Sequence, residues 1–221
     1  MITHLSVSGT VLSLYKKEMK EWNKEEFKQW LVGFIDAEGN FQVFYGCSAS
    51  KYIRVIFRIR LHVDDIAILY RIKELLGVGK VFIEKDSALF VITNAGDLIN
   101  VRASRPILDQ YKLLTTKYLD YLDFVKVVNK LITNKSSVFI GEDLTWLAPA
   151  DNCIKNMNSG RDVIDYSLIP NTPVTRLRGF IEGVKKRSFF STFGFKNLVP
   201  YFQIGQHAKN TYVLVAISRF T

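Results

Sequence analysis

Four basic side chains on one predicted strand are the clearest candidates for binding chemistry in this sequence. Residues 52–63 alternate between apolar and polar side chains, and the polar positions include Arg54, Arg58, Arg60 and His62. Successive side chains of a strand lie on opposite faces of a sheet, so these four share one face. Arginine can hydrogen-bond to guanine through two donors in the major groove of DNA. The pattern therefore predicts a face that binds nucleic acid, and the alternative is an ordinary solvated strand face.

Three further polar residues are weaker candidates for contacts with nucleic acid. Gln42 belongs to the preceding predicted strand and could read adenine, although an ordinary surface glutamine is an equal alternative. Lys80 begins a later predicted strand, Lys85 lies in the predicted turn that follows it, and both could contact phosphate groups. Together with the four residues above, they make up the predicted nucleic-acid-binding set.

The charge of the chain agrees with a polyanionic partner. Its 221 residues contain 30 Lys plus Arg and 21 Asp plus Glu, which gives a net charge of +9. The two cysteines and three histidines are scattered, which argues against a disulfide framework, a zinc finger, a His-rich metal site and a Ser-His-Asp triad. No apolar stretch approaches the ~20 residues that cross a bilayer, so no membrane partner is expected.

The predicted elements that would position these residues form an α+β unit. A helix over residues 23–37 has Asn23 as its N-cap, with Glu26 completing a capping box. The elements that follow are strand 40–45, strand 52–63, a helix ending at Leu76, strand 80–84, strand 88–93, helix 97–108 and helix 115–131. This order places the helices on one face of an antiparallel sheet.

A short internal repeat predicts that the chain begins a second, similar unit. Residues 31–37 read LVGFIDA and residues 177–183 read LRGFIEG. Gly33 and Gly179 hold the third position of each copy, and we predict that they let two helix backbones approach closely.

The repeat and the composition together predict four segments. They are a flexible lead-in over 1–20, a first repeat over 21–132, a linker over 133–172 and an incomplete second repeat over 173–221. The second repeat contains strand-like stretches at 188–195, 199–204 and 212–218, and the later helices of the unit are not expected in it.

The first copy of the repeat resembles a known family. The run LVGFIDAEGNF, residues 31–41, resembles the LAGLIDADG motif of homing endonucleases and intron maturases. The stretches GVGK at 77–80 and PILDQYKLLTTKYLDYLDF at 106–124 are similar to segments of the organellar, intron-encoded branch of that family. The resemblance implies an αββαββα unit whose motif helix packs against a second copy of itself.

The resemblance also implies a metal-dependent site at the end of the motif helix. Glu38 occupies the position of the catalytic acid, which is also the ligand of a Mg²⁺ ion, and Asp36 occupies the acid position that supports the helix end. Lys117 resembles the basic residue that the family places near the scissile phosphate. The implied reaction is hydrolysis of phosphodiester bonds at a specific DNA site.

The second copy departs from the family pattern. Val184 stands where the counterpart of Glu38 is expected, and Glu182 aligns with Asp36 instead. The run VKKRSFFS, residues 184–191, intervenes before the expected continuation of the motif. Because one acid is missing, nicking, a non-cleaving DNA-binding remnant and an RNA maturase that assists intron splicing are the alternatives to double-strand cleavage.

The expected partners follow from the same resemblance. The first is a double-stranded DNA target site, and the maturase alternative takes intron RNA instead. A homodimer through the first repeat is a further alternative, because members of the family with one motif work as dimers. The resemblance to organellar proteins implies a mitochondrial location.

Overall fold

The residues that the structure describes form six α-helices, one 3₁₀ helix (Val63–Asp65) and seven strands. The structure is a computed structural model, and it describes residues 23–47, 51–104, 106–133, 138–139, 157, 174–186, 191–196 and 199–204. The helices are α1 (Lys24–Glu38), α2 (Ile66–Leu76), α3 (Ala95–Ser104), α4 (Ile107–Gln110), α5 (Lys117–Thr133) and α6 (Val174–Lys186). The strands are β1 (Gly39–Cys47), β2 (Lys51–His62), β3 (Lys80–Glu84), β4 (Ser87–Ile92), β5 (Val138–Phe139), β6 (Ser191–Lys196) and β7 (Val199–Ile204).

The capping box predicted for α1 is confirmed. The Asn23 side chain accepts hydrogen bonds from the backbone N–H groups of Glu25 and Glu26, both at 2.9 Å. The Glu26 carboxylate accepts one from the Asn23 N–H at 3.0 Å. Such a cap stabilises a helix by about 1 kcal/mol and fixes where it begins. The helix runs one residue beyond the predicted end, so Glu38 is its last residue.

The antiparallel sheet has the strand order β1-β2-β4-β3, and β5 adds a short pair at the start of β2. The predicted alternation along β2 is confirmed, since Ile53, Val55, Phe57, Ile59 and Leu61 are all buried. These side chains belong to the main core, and Arg54, Arg60 and His62 on the opposite face are exposed. Ring stacking of Phe41 on Phe57, with centroids 5.1 Å apart, continues this core across β1 and β2.

The single helix predicted over 97–108 is wrong. The structure has α3 and α4 there, separated by Pro106. Proline has no N–H to donate within a helix and disfavours helical geometry in the residue before it, so the helix divides at this point. The start of α3 is two residues earlier than predicted, because the Asn94 side chain accepts a hydrogen bond from the Gly96 N–H at 2.7 Å.

The second repeat contributes α6 and an antiparallel hairpin of β6 and β7. Its first described strand begins at Ser191, and residues 188–190 of the predicted strand lie outside the described residues. The predicted linker contributes β5 and also Met157, which is buried in the main core. The predicted lead-in 1–20 and the predicted strand 212–218 lie outside the described residues. No helix in the described ranges is long and apolar enough to cross a membrane.

Candidate functional site

The site is organised by the contact between α1 and α6. A Cβ atom added to Gly33 would lie 1.9 Å from the carbonyl oxygen of Arg176, and one added to Gly179 would lie 2.0 Å from that of Trp30. Both distances are far below van der Waals contact. The helix backbones therefore touch, and only glycine fits at either position.

The two helices are related by an approximate two-fold axis. Gly33 lies against Arg176 and Phe180, and Gly179 lies against Trp30 and Phe34. Exchanging the helices converts the first set of contacts into the second. The same relation brings the ends of the helices together, since a Cβ atom on Gly183 would lie 2.5 Å from the Cβ atom of Ala37.

Glu38 is buried at the C-terminal end of α1, with 6% of its surface exposed. Its Cγ atom would be 3.5 Å from a Cβ atom on Gly183, so this carboxylate-bearing side chain lies at the helix–helix contact. Among the described residues, no three His, Cys, Asp or Glu side chains come together. A metal ion held here would take few protein oxygens and complete its shell with water and phosphate. That donor set fits Mg²⁺, which keeps several waters and binds through one or two carboxylates.

Asp36 fastens the end of α1 to the segment before α5. Its buried carboxylate accepts hydrogen bonds from the backbone N–H groups of Leu114 and Thr115 and from the Thr115 hydroxyl. Burial raises the pKa of Asp36 above its ordinary value, and the nearby Lys117 charge and these hydrogen bonds oppose that shift. The helix end is thereby tied to a segment almost 80 residues further along the chain.

Lys117 lies at the same helix end. Its ammonium group donates hydrogen bonds to the carbonyl oxygens of Ile35 at 3.1 Å and Ala37 at 3.2 Å. A cation at a helix C-terminus is favoured by the helix dipole and by the unpaired carbonyls of the last turn. Lys117 therefore contacts the backbone of Ala37, the residue that precedes Glu38.

Glu182 is the acid of α6 that aligns with Asp36, and both of its oxygens are engaged. One accepts a hydrogen bond from the Trp30 indole N–H at 3.0 Å, and the other accepts from the Arg178 guanidinium at 2.7 Å. Glu182 therefore ties α6 to α1. Sequence reasoning missed Trp30 in this role, because its position on the apolar stripe of α1 indicates only a core residue.

Arg176 is a second site residue that sequence reasoning missed. It is 8% exposed, donates to the Lys112 carbonyl at 3.4 Å and lies over the Tyr111 ring, 5.2 Å from its centroid. Burial lowers the pKa of Arg176, and the Asp36 charge opposes that shift. The sequence does contain one indication of its position. When the two copies of the repeat are aligned, Arg176 stands opposite Trp30.

The sheet face opposite the core carries most of the predicted nucleic-acid-binding set, and the side-chain oxygen of Gln42 is buried there. Arg58 lies beside Asn40 on β1 and beside Val91 on β4, and Val91 pairs in turn with Lys80 on β3. Gln42 lies opposite Ile56 on the same face. The pairing therefore forms rows of polar and apolar side chains across four strands.

Parts of this face differ from a uniformly basic surface. Arg60 forms an exposed ion pair with Glu84 at 2.8 Å, and His62 contacts Asp64 at 3.0 Å. Arg54 pairs across the strands with Phe44, whose side chain is 45% exposed. Lys85 lies outside the strands, in the turn between β3 and β4, where it adopts a φ of 50°.

A comparison with known protein families finds a match for the part of the chain that carries this site. Residues 31–128 match the family model described as LAGLIDADG endonuclease. These residues form a LAGLIDADG domain. The match begins within α1 and ends within α5, so it contains Asp36, Glu38 and Lys117.

Two curated relatives are fungal. "Uncharacterized mitochondrial protein RF1" of Saccharomyces cerevisiae is 25% identical over 229 residues, which is 98% of this chain and 44% of that protein. "Probable intron-encoded endonuclease 3" of Neurospora crassa is 31% identical over 116 residues, which is 50% of this chain and 21% of that protein. The chain spans less than half the length of these relatives.

Solved structures show the same fold. I-SmaMI, a LAGLIDADG homing endonuclease, bound to an uncleaved DNA target in the presence of calcium ions, matches with a TM-score of 0.70 at 23% identity. The match covers 87% of this chain and 72% of that chain. The LAGLIDADG domain and α6 therefore adopt the mixed helix and antiparallel-sheet fold of these homing endonucleases.

Proposed function

We propose that this protein binds a specific double-stranded DNA site and hydrolyses a phosphodiester bond there with Mg²⁺. The single observation that carries the proposal is the α1–α6 contact, which brings the Glu38 side chain to the paired helix ends. The matching solved structures of I-SmaMI and I-GzeII contain bound DNA targets, and these give the substrate class. The charge of +9 agrees with a polyanionic partner.

In this proposal, Glu38 is the protein ligand of the metal ion. When bound, Mg²⁺ polarises a phosphoryl oxygen and lowers the pKa of a bound water. Asp36 holds the helix end through Leu114 and Thr115, so the Glu38 carboxylate stays in one position. Lys117 donates hydrogen bonds to the carbonyls of the last turn and adds a positive charge beside the phosphate, where negative charge develops during hydrolysis.

The face of β1–β4 opposite the core is the proposed DNA-binding surface. Strand pairing puts Arg58 and Lys80 in one row, on either side of Val91, and β-strands of this kind fit the major groove. Arg54, Arg60 and His62 extend the basic row along β2, and Gln42 is a proposed adenine contact. Lys85, in its turn, is a proposed phosphate contact only.

Replacing Arg58 by Ala should weaken binding to a duplex selected from a random library by about 5- to 150-fold, the range for a lost base or phosphate contact of ~1–3 kcal/mol. The slope of log affinity against log salt concentration should become shallower by about one, which is the change expected when one phosphate contact is lost. Fluorescence anisotropy at several salt concentrations measures both. Lys73→Ala, an exposed charge on α2 away from the sheet face, should change neither value. Equal losses in the two variants would contradict the assignment of the binding face.

An RNA maturase is the second candidate function, because Val184 stands where a second acid is expected and the nearest acid in the sequence, Glu182, is already engaged.

A mitochondrial location is proposed from the name of the yeast relative. The protein is proposed to act as a single chain, since α6 covers the Gly33 face of α1. A homodimer through that face would need α6 to be displaced.

The proposal is tested with the purified chain and a supercoiled plasmid that carries the selected duplex. We expect Mg²⁺ to support breakage of the plasmid, and Ca²⁺ or EDTA to leave it supercoiled while the duplex stays bound. The same preparation is offered intron RNA in a competition assay. Intact plasmid under every condition, together with tight RNA binding that duplex DNA does not compete, would favour the maturase.

A further inference from the structure

The two-fold relation between α1 and α6 pairs Glu38 with Val184. The contacts of Gly33 and Gly179 define the relation, and the contact of Ala37 with Gly183 carries it to the helix ends. The residue that follows Ala37 is Glu38, and the residue that follows Gly183 is Val184. A valine side chain has no oxygen or nitrogen atom to bind a metal ion.

No other side chain of α6 replaces this missing ligand. Glu182 is the one acid in the α6 sequence, and its two oxygens are held by Trp30 and Arg178. Freeing it would break its hydrogen bond with the indole N–H of the buried Trp30. The two residues after Val184 are Lys185 and Lys186, which carry the wrong charge for a cation site.

We propose that this protein cuts only one strand of its DNA site. The inference rests on the proposed function and follows from the asymmetry of the paired helix ends. At the Glu38 end, a water oxygen bonds to phosphorus and one bridging P–O bond breaks. The departing oxygen takes one proton and solvent takes the other. At the Val184 end, α6 delivers no carboxylate, so the opposite strand stays intact.

The test uses the full chain and a plasmid carrying the selected site, with each strand labelled separately. Wild type should convert supercoiled plasmid to open circles, with one strand cut on the order of 100-fold faster than the other. Val184→Glu should restore cleavage of the second strand and give linear plasmid. In Val184→Gln, the new side chain has a shape similar to that of glutamate but no charge, so this variant should nick as wild type does.

Metal binding gives a readout that does not depend on cleavage. Titration of the protein–DNA complexes with Ca²⁺ should show more bound ions for Val184→Glu than for wild type and Val184→Gln. Equal duplex affinity of the three proteins shows that the variants are folded.

The outcomes separate the inference from the function on which it rests. Linear plasmid from wild type, with both strands cut at one site, overturns the inference and leaves the nuclease function standing. Nicking by wild type without any gain of second-strand cleavage or Ca²⁺ binding in Val184→Glu overturns the assignment of Val184 as the missing ligand. Bound but uncut DNA with every protein overturns the nuclease function itself.

Discussion

Replacing Glu38 by Gln should abolish DNA cleavage by this protein and leave duplex binding within about twofold of wild type. Glutamine keeps the size of the side chain and removes the negative charge that a divalent cation needs. Metal positioning supplies several kcal/mol of transition-state stabilisation, so the rate should fall by at least about 100-fold. Plasmid cleavage at saturating Mg²⁺ measures the rate, and anisotropy measures binding.

A matched control for this variant is Glu74→Gln. Glu74 is an exposed acid on α2, and its replacement makes the same change in net charge. Its cleavage rate should equal that of wild type. If Glu38→Gln cleaves as fast as the control, the protein ligand of the metal is another residue and the proposed centre is wrong.

Replacing Gly33 by Ala should destabilise the protein by about 3 kcal/mol, at the upper end for an overpacked core. The added methyl group would lie 1.9 Å from the Arg176 carbonyl oxygen, and a backbone atom cannot move aside as a flexible side chain can. Alanine is the better helix former by about 1 kcal/mol, so the clash must outweigh an intrinsic gain. The melting temperature should fall by about 6–12 °C for a chain of this size.

Gly96→Ala, in the first turn of α3, is the control for this effect. A Cβ atom there has the Asn94 side-chain oxygen as its nearest neighbour, at 3.0 Å. Its melting temperature should change little. An unchanged melting temperature in Gly33→Ala would mean that α1 and α6 do not pack at this distance in solution.

Much of the first repeat is predictable because its signals are local. The apolar alternation along β2 requires one buried face and one exposed face, and the structure has both. The capping box at Asn23 places the start of α1 through residues two and three positions away. Even the failed prediction of one helix over 97–108 is local in origin, since Pro106 was the signal for the break.

The resemblance of residues 31–41 to the LAGLIDADG motif likewise indicated that the acid Glu38 stands at the end of this helix. The sequence therefore determined the α1–β1–β2 unit, the basic side of β2 and the position of Glu38 at the end of a helix. These features depend on contacts and spacings within a few residues, which the order of residues specifies directly.

Only the tertiary structure decided which contacts hold the end of that helix in place. Asp36 accepts a hydrogen bond from Thr115, and Lys117 donates one to the end of α1. Trp30 donates one to Glu182, which lies 152 residues further along the chain. The repeat predicts that α6 exists, but it does not say that the acid of α6 is already bound to a tryptophan of α1. Such pairs form because the fold brings distant segments into one buried contact, where a polar group must find a partner among whatever lies nearest.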